Sequence, residues 1–445
     1  MEYYIQHRLG ETAVAVLNEH GEMIGYTVER HHSPSLIGGI YVARVCEMNT
    51  SQSIVIVELG GQKAILNGGK NLIEGTCVLV QVVRDGFQQK LPAVQFRICV
   101  ENAYFVINST GKDVAFDRTI GQGKARAELQ RRMLPIMGED TGIFVKKNAV
   151  YADVQSLRQA YKTLRAELHT ILQTKTNKVH QVRPAPSLIE RTVHSAPMAS
   201  VMIADDMQTY RLVKQAGQQT STDINIHHYK QGDAFDMGGI YDMVDSLLYR
   251  KIDLLNGGSV VFDSAEALTA IDVNMGNVTN MNKGDDAVFR FNKTACRTIA
   301  QHIVLRNISG LIVIDFVRIK NRGMMKHIPK VLQSHMRAFD AYGVWDVMDI
   351  TKSGLVEMTR KRTSPSLADM VLAPVGDRTK TPETMALELL QHLLRTVSVG
   401  TPTIFAPKPV IDMLQKSQMI VDCENRLKKT VALQVHTNAY TDWIQ

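Results

Sequence analysis

Two acidic residues stand out by context. Asp272 closes the apolar run ALTAI, and Asp315 closes GLIVI. A carboxylate at the carboxyl end of a buried strand sits in a costly place unless a partner offsets its lost water. In α/β sheets those strand ends are where ligands bind. Two such acids on neighbouring strands can hold one Mg²⁺, which takes one or two carboxylates and completes its shell with water and phosphate oxygens. The ion could then polarise a phosphoryl oxygen and supply hydroxide near neutral pH. Asn274 follows Asp272 by two residues, so both side chains leave a strand on the same side. Its amide can reach a phosphate or position a water. The plainer reading has both acids capping loops or helix N-termini, and the residues alone leave the two readings side by side.

The elements around them can be read from pattern. SVVFD and ALTAIDVN are strands. In 285–307, Phe291, Ala295, Ile299 and Ile303 step by four, which predicts a helix. GLIVIDF (310–316) is almost wholly apolar and reads as a fully buried strand. Residues 323–339 form a second helix with Pro329 in its first turns, and VWDVMDI and LVEMT are strands. Arg360, Lys361 and Arg362 follow as a short basic run, either a solvated face or a grip on a phosphate backbone.

Upstream, 13–29 is a hairpin: two β-favouring runs around a polar, Gly-containing turn. Five short runs at 40–48, 53–60, 63–66, 77–84 and 91–100 predict a small closed barrel of the OB type, a fold that often binds single-stranded nucleic acid. GGKN (68–71) lacks the spacing and following Ser or Thr of a phosphate loop. Two amphipathic helices come next, at 124–137 and 152–173. The second has an apolar face of Val154, Leu157, Tyr161, Leu164, Leu168 and Leu172. Residues 174–186 read as a linker and 187–256 as another α/β piece. After 369, a Pro-containing connector leads to an amphipathic helix at 384–397.

Composition bounds the rest. The 445 residues suffice for about three domains. A net charge of +7 suits a polyanionic partner without proving one. The five cysteines are scattered without a C-x-x-C pair, which argues against a disulfide framework and a Cys₄ zinc site. His227-His228 and the His327/His335 pair lack the i, i+4 spacing of a helix-borne metal site. The N-terminus has no basic region before an apolar core, and no apolar run approaches a spanning length. A cytoplasmic protein without a transmembrane segment is expected.

GGSVVFDSAEALTAIDVN (257–274), the segment 291–316 and GLVEMTRKRTSPSL (354–367) resemble, in that order, the catalytic core of the ribonuclease E/G family. Weaker similarity covers most of the chain: 13–29 resembles the family's first hairpin, GGIYVARV the start of its RNA-binding barrel, and the next part its 5′-sensor region. The resemblance implies a multidomain α+β fold. Its expected parts are an RNase H-like part in two segments (1–37 and 185–256), an OB-type barrel (38–100) and a 5′-sensor-like region (101–184). A DNase I-like catalytic subdomain (257–368) and a small C-terminal α/β domain (369–445) complete it. It implies Mg²⁺-dependent cutting of single-stranded RNA to 5′-phosphate and 3′-hydroxyl ends. The family's two metal-binding aspartates fall on Asp272 and Asp315, and its supporting Asn on Asn274. Expected RNA contacts are Arg84, Lys90, Lys146, Lys147, Arg360 and Arg362. A weakly catalytic RNA-binding protein or scaffold with the same fold is the competing reading.

The sequence departs from the family in four places. The C-P-x-C zinc link after SPSL is replaced by LADMVLAPVGDRTK, so no zinc-linked dimer is expected, and a homodimer through other surfaces stays open. The barrel's two RNA-stacking Phe positions correspond to Ile56 and Ile65, which read here as barrel core. Three residues after Asp315, where the family commonly has an acid, stands Arg318; it could pair with phosphate or lower metal occupancy. In the 5′-phosphate pocket, Lys146 and Lys147 replace an Arg-Thr pair, and no Arg falls near 342–344. A lysine lacks the bidentate fork of arginine. RNA with a 5′-monophosphate is therefore expected to be cut little or no faster than its 5′-hydroxyl counterpart. A clear rate gain in a side-by-side cleavage assay would contradict this.

Overall fold

A computed structural model describes residues 1–49, 54–68, 72–87, 90–111, 113–137, 142–219, 224–230, 232–255, 257–276, 284–373, 379–396 and 398–444. Residues 69–71 of GGKN and 374–378 of the stretch after SPSL lie outside them. The chain divides into two compact units: Met1–Gln6, Val16–Gly21 and Ser33–Met237 form the first, and His7–Ala15, Glu22–His32 and Gly238–Gln445 the second. Among the described residues no helix is long and apolar enough to cross a membrane.

The first unit holds a closed five-strand, OB-like barrel. Its strands run Ile40–Asn49, Ile54–Glu58, Lys63–Asn67, Ala93–Gln95 and Cys77–Arg84, and the last pairs back onto the first. Alternation fills the interior with Ala43, Val45, Val55, Val57, Ala64, Leu66, Val80, Val82 and Val94. Ile56 and Ile65 pair across neighbouring strands on the other parity. They are half-buried on the outer face, so the reading of them as core is corrected. Residues 91–100 are not one strand. Ala93–Gln95 closes the barrel, and Cys99–Glu101 joins a second sheet. Gln81 bridges the break: its amide accepts from Cys99 N and donates to Cys99 O. Part of the expected linker is also a strand, His180–Arg183, antiparallel to Ile40–Asn49.

The second sheet is ordered Val114–Phe116, Gly142–Val145, Phe105–Asn108, Cys99–Glu101. The helix Val154–Leu172, capped by Asp153, packs against it. Leu157, Tyr161, Leu164 and Leu168 are buried as the periodicity predicts, but Val154 and Leu172 at the ends are exposed, and Ala160 and Ile171 are buried instead. A third set of strands, Asn225–His228, Val201–Ala204 and the start of Glu2–Arg8, pairs in parallel in this unit. Glu11–Leu17 and Met23–Arg30 are neighbouring strands and form the expected hairpin.

The second unit is built on a six-stranded sheet. The order is Lys251–Asp253, Ser259–Ser264, Leu268–Asn274, Gly310–Asp315, Val356–Arg360, Trp345–Val347. Only Leu268–Asn274 and Gly310–Asp315 run parallel. A parallel pair needs a long crossover, and the helix Asp285–Leu305 lies in it. That helix packs on Arg322–Phe339. Phe291, Ala295, Ile299 and Ile303 join Ile271, Val273, Ile312, Ile314, Ile328 and Leu332 in one core. Pro329 lies inside the second helix, not in its first turns, and is buried there.

GLIVI reads as a strand buried on both faces, yet one face only is covered. Ile312 and Ile314 are buried; Leu311, at 37% exposed, and Asp315 lie on the other side. Leu268–Asn274 alternates likewise, with Thr269, Ile271 and Val273 in and Ala270, Asp272 and Asn274 out. A smaller sheet (Ala432–Val435, Thr401–Ala406, Tyr440–Ile444) and the helices Pro382–Arg395, Lys408–Lys416 and Gln418–Leu427 complete this unit around their own core.

Gly258 is needed where the sheet begins. Its φ is +76°, and a Cβ there would lie 2.3 Å from the Asn274 carbonyl oxygen and 2.7 Å from the Phe291 ring. Gly258→Ala should combine left-handed strain with overpacking and cost more than about 3 kcal/mol. Urea denaturation of the variant checks this; an unchanged midpoint would refute it.

Candidate active site

The parallel register seats Asp272 directly beside Asp315. Adjacent strands lie about 4.8 Å apart, so the two carboxylates share one small area of the open face. Both are exposed. The reading of them as buried strand-end acids is thereby corrected: they keep contact with water and need no partner to offset burial. Asn274 projects from the same face and donates from Nδ2 to Asp272 Oδ2 at 2.6 Å. The amide steadies one carboxylate and leaves the other acid's oxygens clear of it.

Oxygen-only donors on an open face suit a hard divalent cation. Among the described residues no group of three or more His, Cys, Asp or Glu forms a closed metal cage. Mg²⁺ asks for little more than one or two carboxylates, provided water and phosphate oxygens can reach its other positions. Asp272 and Asp315 fit that requirement. Val261 flanks Asp272 on the next strand, and Lys251 pairs with Val261 one strand further. Lys251 thus lies in the same cross-strand row as the two acids, though it is paired with Asp253 at 3.0 Å. Its sequence surroundings hold no motif, and only the register reveals it. Arg318 is exposed beyond the end of the Asp315 strand.

The basic candidates fare differently. Arg360 is mostly buried and internally committed: Nε donates to Asp340 Oδ2 at 2.7 Å, and Nη1 to Asn307 Oδ1 and Ile308 O. Arg362 is exposed and donates to Ser309 Oγ. In the barrel, Arg84 donates to Leu91 O at 3.4 Å, while Lys90 is exposed. Lys146 forms a 2.6 Å ion pair with Glu101 and is only 17% exposed; Lys147 beside it is exposed. Burial pushes the Glu101 carboxyl up, but Lys146 together with His194 and Arg183 outweighs it, and the net shift is downward. His228 packs on Tyr210 and His327 on Phe289, and burial lowers His335.

The loop beyond Asp315 is held by residues that the sequence motifs do not single out. Asn292 donates to Val317 O, and Asp285 accepts from Lys320 N and Asn321 N. A signal existed: Asn292 falls among the core-facing positions of its helix, where an amide is out of place.

The Arg360–Asp340 geometry generates a prediction. Arg360→Ala would leave Asp340 as a nearly buried, unpaired charge, and breaking such a pair costs about 3–5 kcal/mol. The variant should melt well below the parent in calorimetry. Full stability together with selective loss of RNA affinity would instead mark Arg360 as an RNA contact.

Comparison with known proteins adds to this geometry. Residues 100–363, more than half of the chain, match the model of the ribonuclease E/G family. The chain is 24% identical to ribonuclease G of Escherichia coli (strain K12) over 467 residues, which cover 96% of this chain and 95% of that protein. It is 24% identical to ribonuclease G of Haemophilus influenzae over 423 residues, 86% of this chain and 85% of that one. With ribonuclease E of Nostoc sp. it shares 26% identity over 308 residues, 66% of this chain and 44% of the other. With the matched region spanning the whole six-stranded sheet and its pair of aspartates, the chain belongs to the ribonuclease E/G family.

Proposed function

We propose that this protein is a Mg²⁺-dependent endoribonuclease that cuts single-stranded RNA and leaves 5′-phosphate and 3′-hydroxyl ends. Membership of the family makes it an endoribonuclease. The observation that most supports the finer reading is the adjacency of Asp272 and Asp315 on an exposed sheet face. A flat, one-sided site admits an internal stretch of a polymer, which an enclosed pocket would not.

In this reading Asp272 and Asp315 would hold the ion, which when bound would supply positive charge at the scissile phosphate and make a water easier to deprotonate. Asn274 keeps the Asp272 carboxylate oriented through its Nδ2 bond. Water adds to phosphorus and the P–O3′ bond breaks, so the phosphate stays with the downstream fragment and the upstream one takes a proton as its 3′-hydroxyl. Arg84, Lys90, Lys147 and Arg362 grip flanking phosphates, and Lys146 joins them only by giving up Glu101. Phosphate gripping makes binding fall steeply with salt. The proposal extends to an RNase H-like part (1–37 and 185–256), a sensor-like region at 101–184, a DNase I-like subdomain at 257–368 and a C-terminal domain at 369–445. It also includes action in RNA processing and decay in the cytoplasm.

The competing reading, a weakly catalytic RNA-binding protein, draws on two observations. Aliphatic Ile56 and Ile65 occupy the outer barrel face, and Lys146 is tied to Glu101. An aromatic at such a face contributes about 1–3 kcal/mol per stacked base, which these residues forgo.

Cleavage of a labelled A/U-rich single-stranded RNA separates the two. The parent should make internal cuts that require Mg²⁺. Asp315→Asn and Asp272→Asn should each lose at least about 10²-fold in rate, several kcal/mol of transition-state stabilisation, while binding RNA normally in EDTA. Binding without cutting in parent and variants alike would support the scaffold reading.

A further inference from the structure

We infer that Asn292 is a positioning residue for Asp315, one that acts through the loop leaving the strand. The inference rests on the proposed role of Asp272 and Asp315 as the metal-binding pair. Asp315 is the last residue of its strand, and its pairing with Asp272 is the last rung of that ladder. Beyond it, residues 316–321 have no regular secondary structure. The direction of the Asp315 side chain therefore depends on what holds this loop.

Two polar groups of one helix hold it. Asn292 lies on the covered side of Asp285–Leu305, among Phe291, Ala295 and Cys296, and is 0% exposed. Its Nδ2 donates to Val317 O at 2.7 Å, two residues past Asp315. At the start of the same helix, Asp285 accepts from Asn321 N at 2.8 Å and from Lys320 N at 3.2 Å. Phe316 and Ile319 are buried between these tethers.

The chemistry of Asn292 argues that it does more than fill space. Its Oδ1 is buried with no hydrogen-bond partner among the described residues. A buried acceptor left unmet is a net cost. Leucine has nearly the same shape: it would remove that unmet acceptor but take the donor from Val317 O, so the two changes to stability oppose each other. What the amide adds is the single bond to Val317 O, and that bond fixes the backbone just after the carboxylate. Small displacements at a reacting centre are expensive, about 10²-fold for 1 Å.

The test separates positioning from stability. Asn292→Leu should melt at or near the parent temperature. Its amides at 316–321 should exchange hydrogen faster, and Mn²⁺ affinity, read by calorimetry, should fall about 10–100-fold. kcat for the A/U-rich RNA should fall with it, while RNA affinity in EDTA stays unchanged. If Asn292→Leu does not fold, Asn292→Ser carries the same comparison. Parent-like exchange and Mn²⁺ affinity in the folded variant would overturn the inference. So would a loss of rate that merely tracks loss of folded protein. If the parent itself makes no metal-dependent cuts, the proposed function fails instead, and loop exchange and Mn²⁺ affinity still decide the role of Asn292.

Discussion

The parallel pairing of Leu268–Asn274 with Gly310–Asp315 governs the candidate site, because it alone puts Asp272 beside Asp315. Side chains alternate along a strand, so a slip of one residue would turn Asp315 into the helix-covered face and bring Ile314 out. The register is held by burial. Ile271 and Val273 on one strand, and Ile312 and Ile314 on the other, face the same core as Phe291, Ile299 and Leu332. Moving either strand by one residue would expose those aliphatic groups and bury a carboxylate, and both changes are unfavourable. The hydrophobic effect thus specifies the position of two charged groups that take no part in it.

The one-sided sheet also sets the electrostatics. Acids on an open face remain hydrated and can exchange water for phosphate oxygens without crossing a protein wall. Asn274 restrains one of them and Asn292 restrains the loop behind the other. The parallel crossover connects these roles: the helix that makes the strand pairing sterically feasible also carries Asn292 and Asp285. Packing and positioning are therefore carried by one element.

In the first unit the same alternation separates core from surface. Val55, Val57, Ala64 and Leu66 fill the barrel, while Ile56 and Ile65 form an outward cross-strand pair. Two aliphatic side chains on the outer face give a base a smaller contact surface than aromatics would. Glu101 competes with any anion for Lys146. In the proposed function both features weaken the grip on RNA.

Much of the architecture was determined locally. Strong periodicity marks the helices at 152–173 and 285–307 and the five barrel strands, and the apolar runs before Asp272 and Asp315 mark the two strands that carry them. These signals are legible because side-chain direction follows backbone period, 3.6 in a helix and 2 in a strand. Which face of a strand is covered is another matter. GLIVI carries apolar residues on both parities, so only the helices packed against Ile312 and Ile314 decide that Leu311 and Asp315 face outward. Arg360 reads as part of a basic run until Asp340 and Asn307, distant in sequence, are found around its guanidinium. The division of 91–100 between two sheets depends on Gln81, and the tether on the Asp315 loop on Asn292. Residue type and spacing named the acids; long-range packing, which no local pattern encodes, decided their register, their exposure and the contacts that hold them.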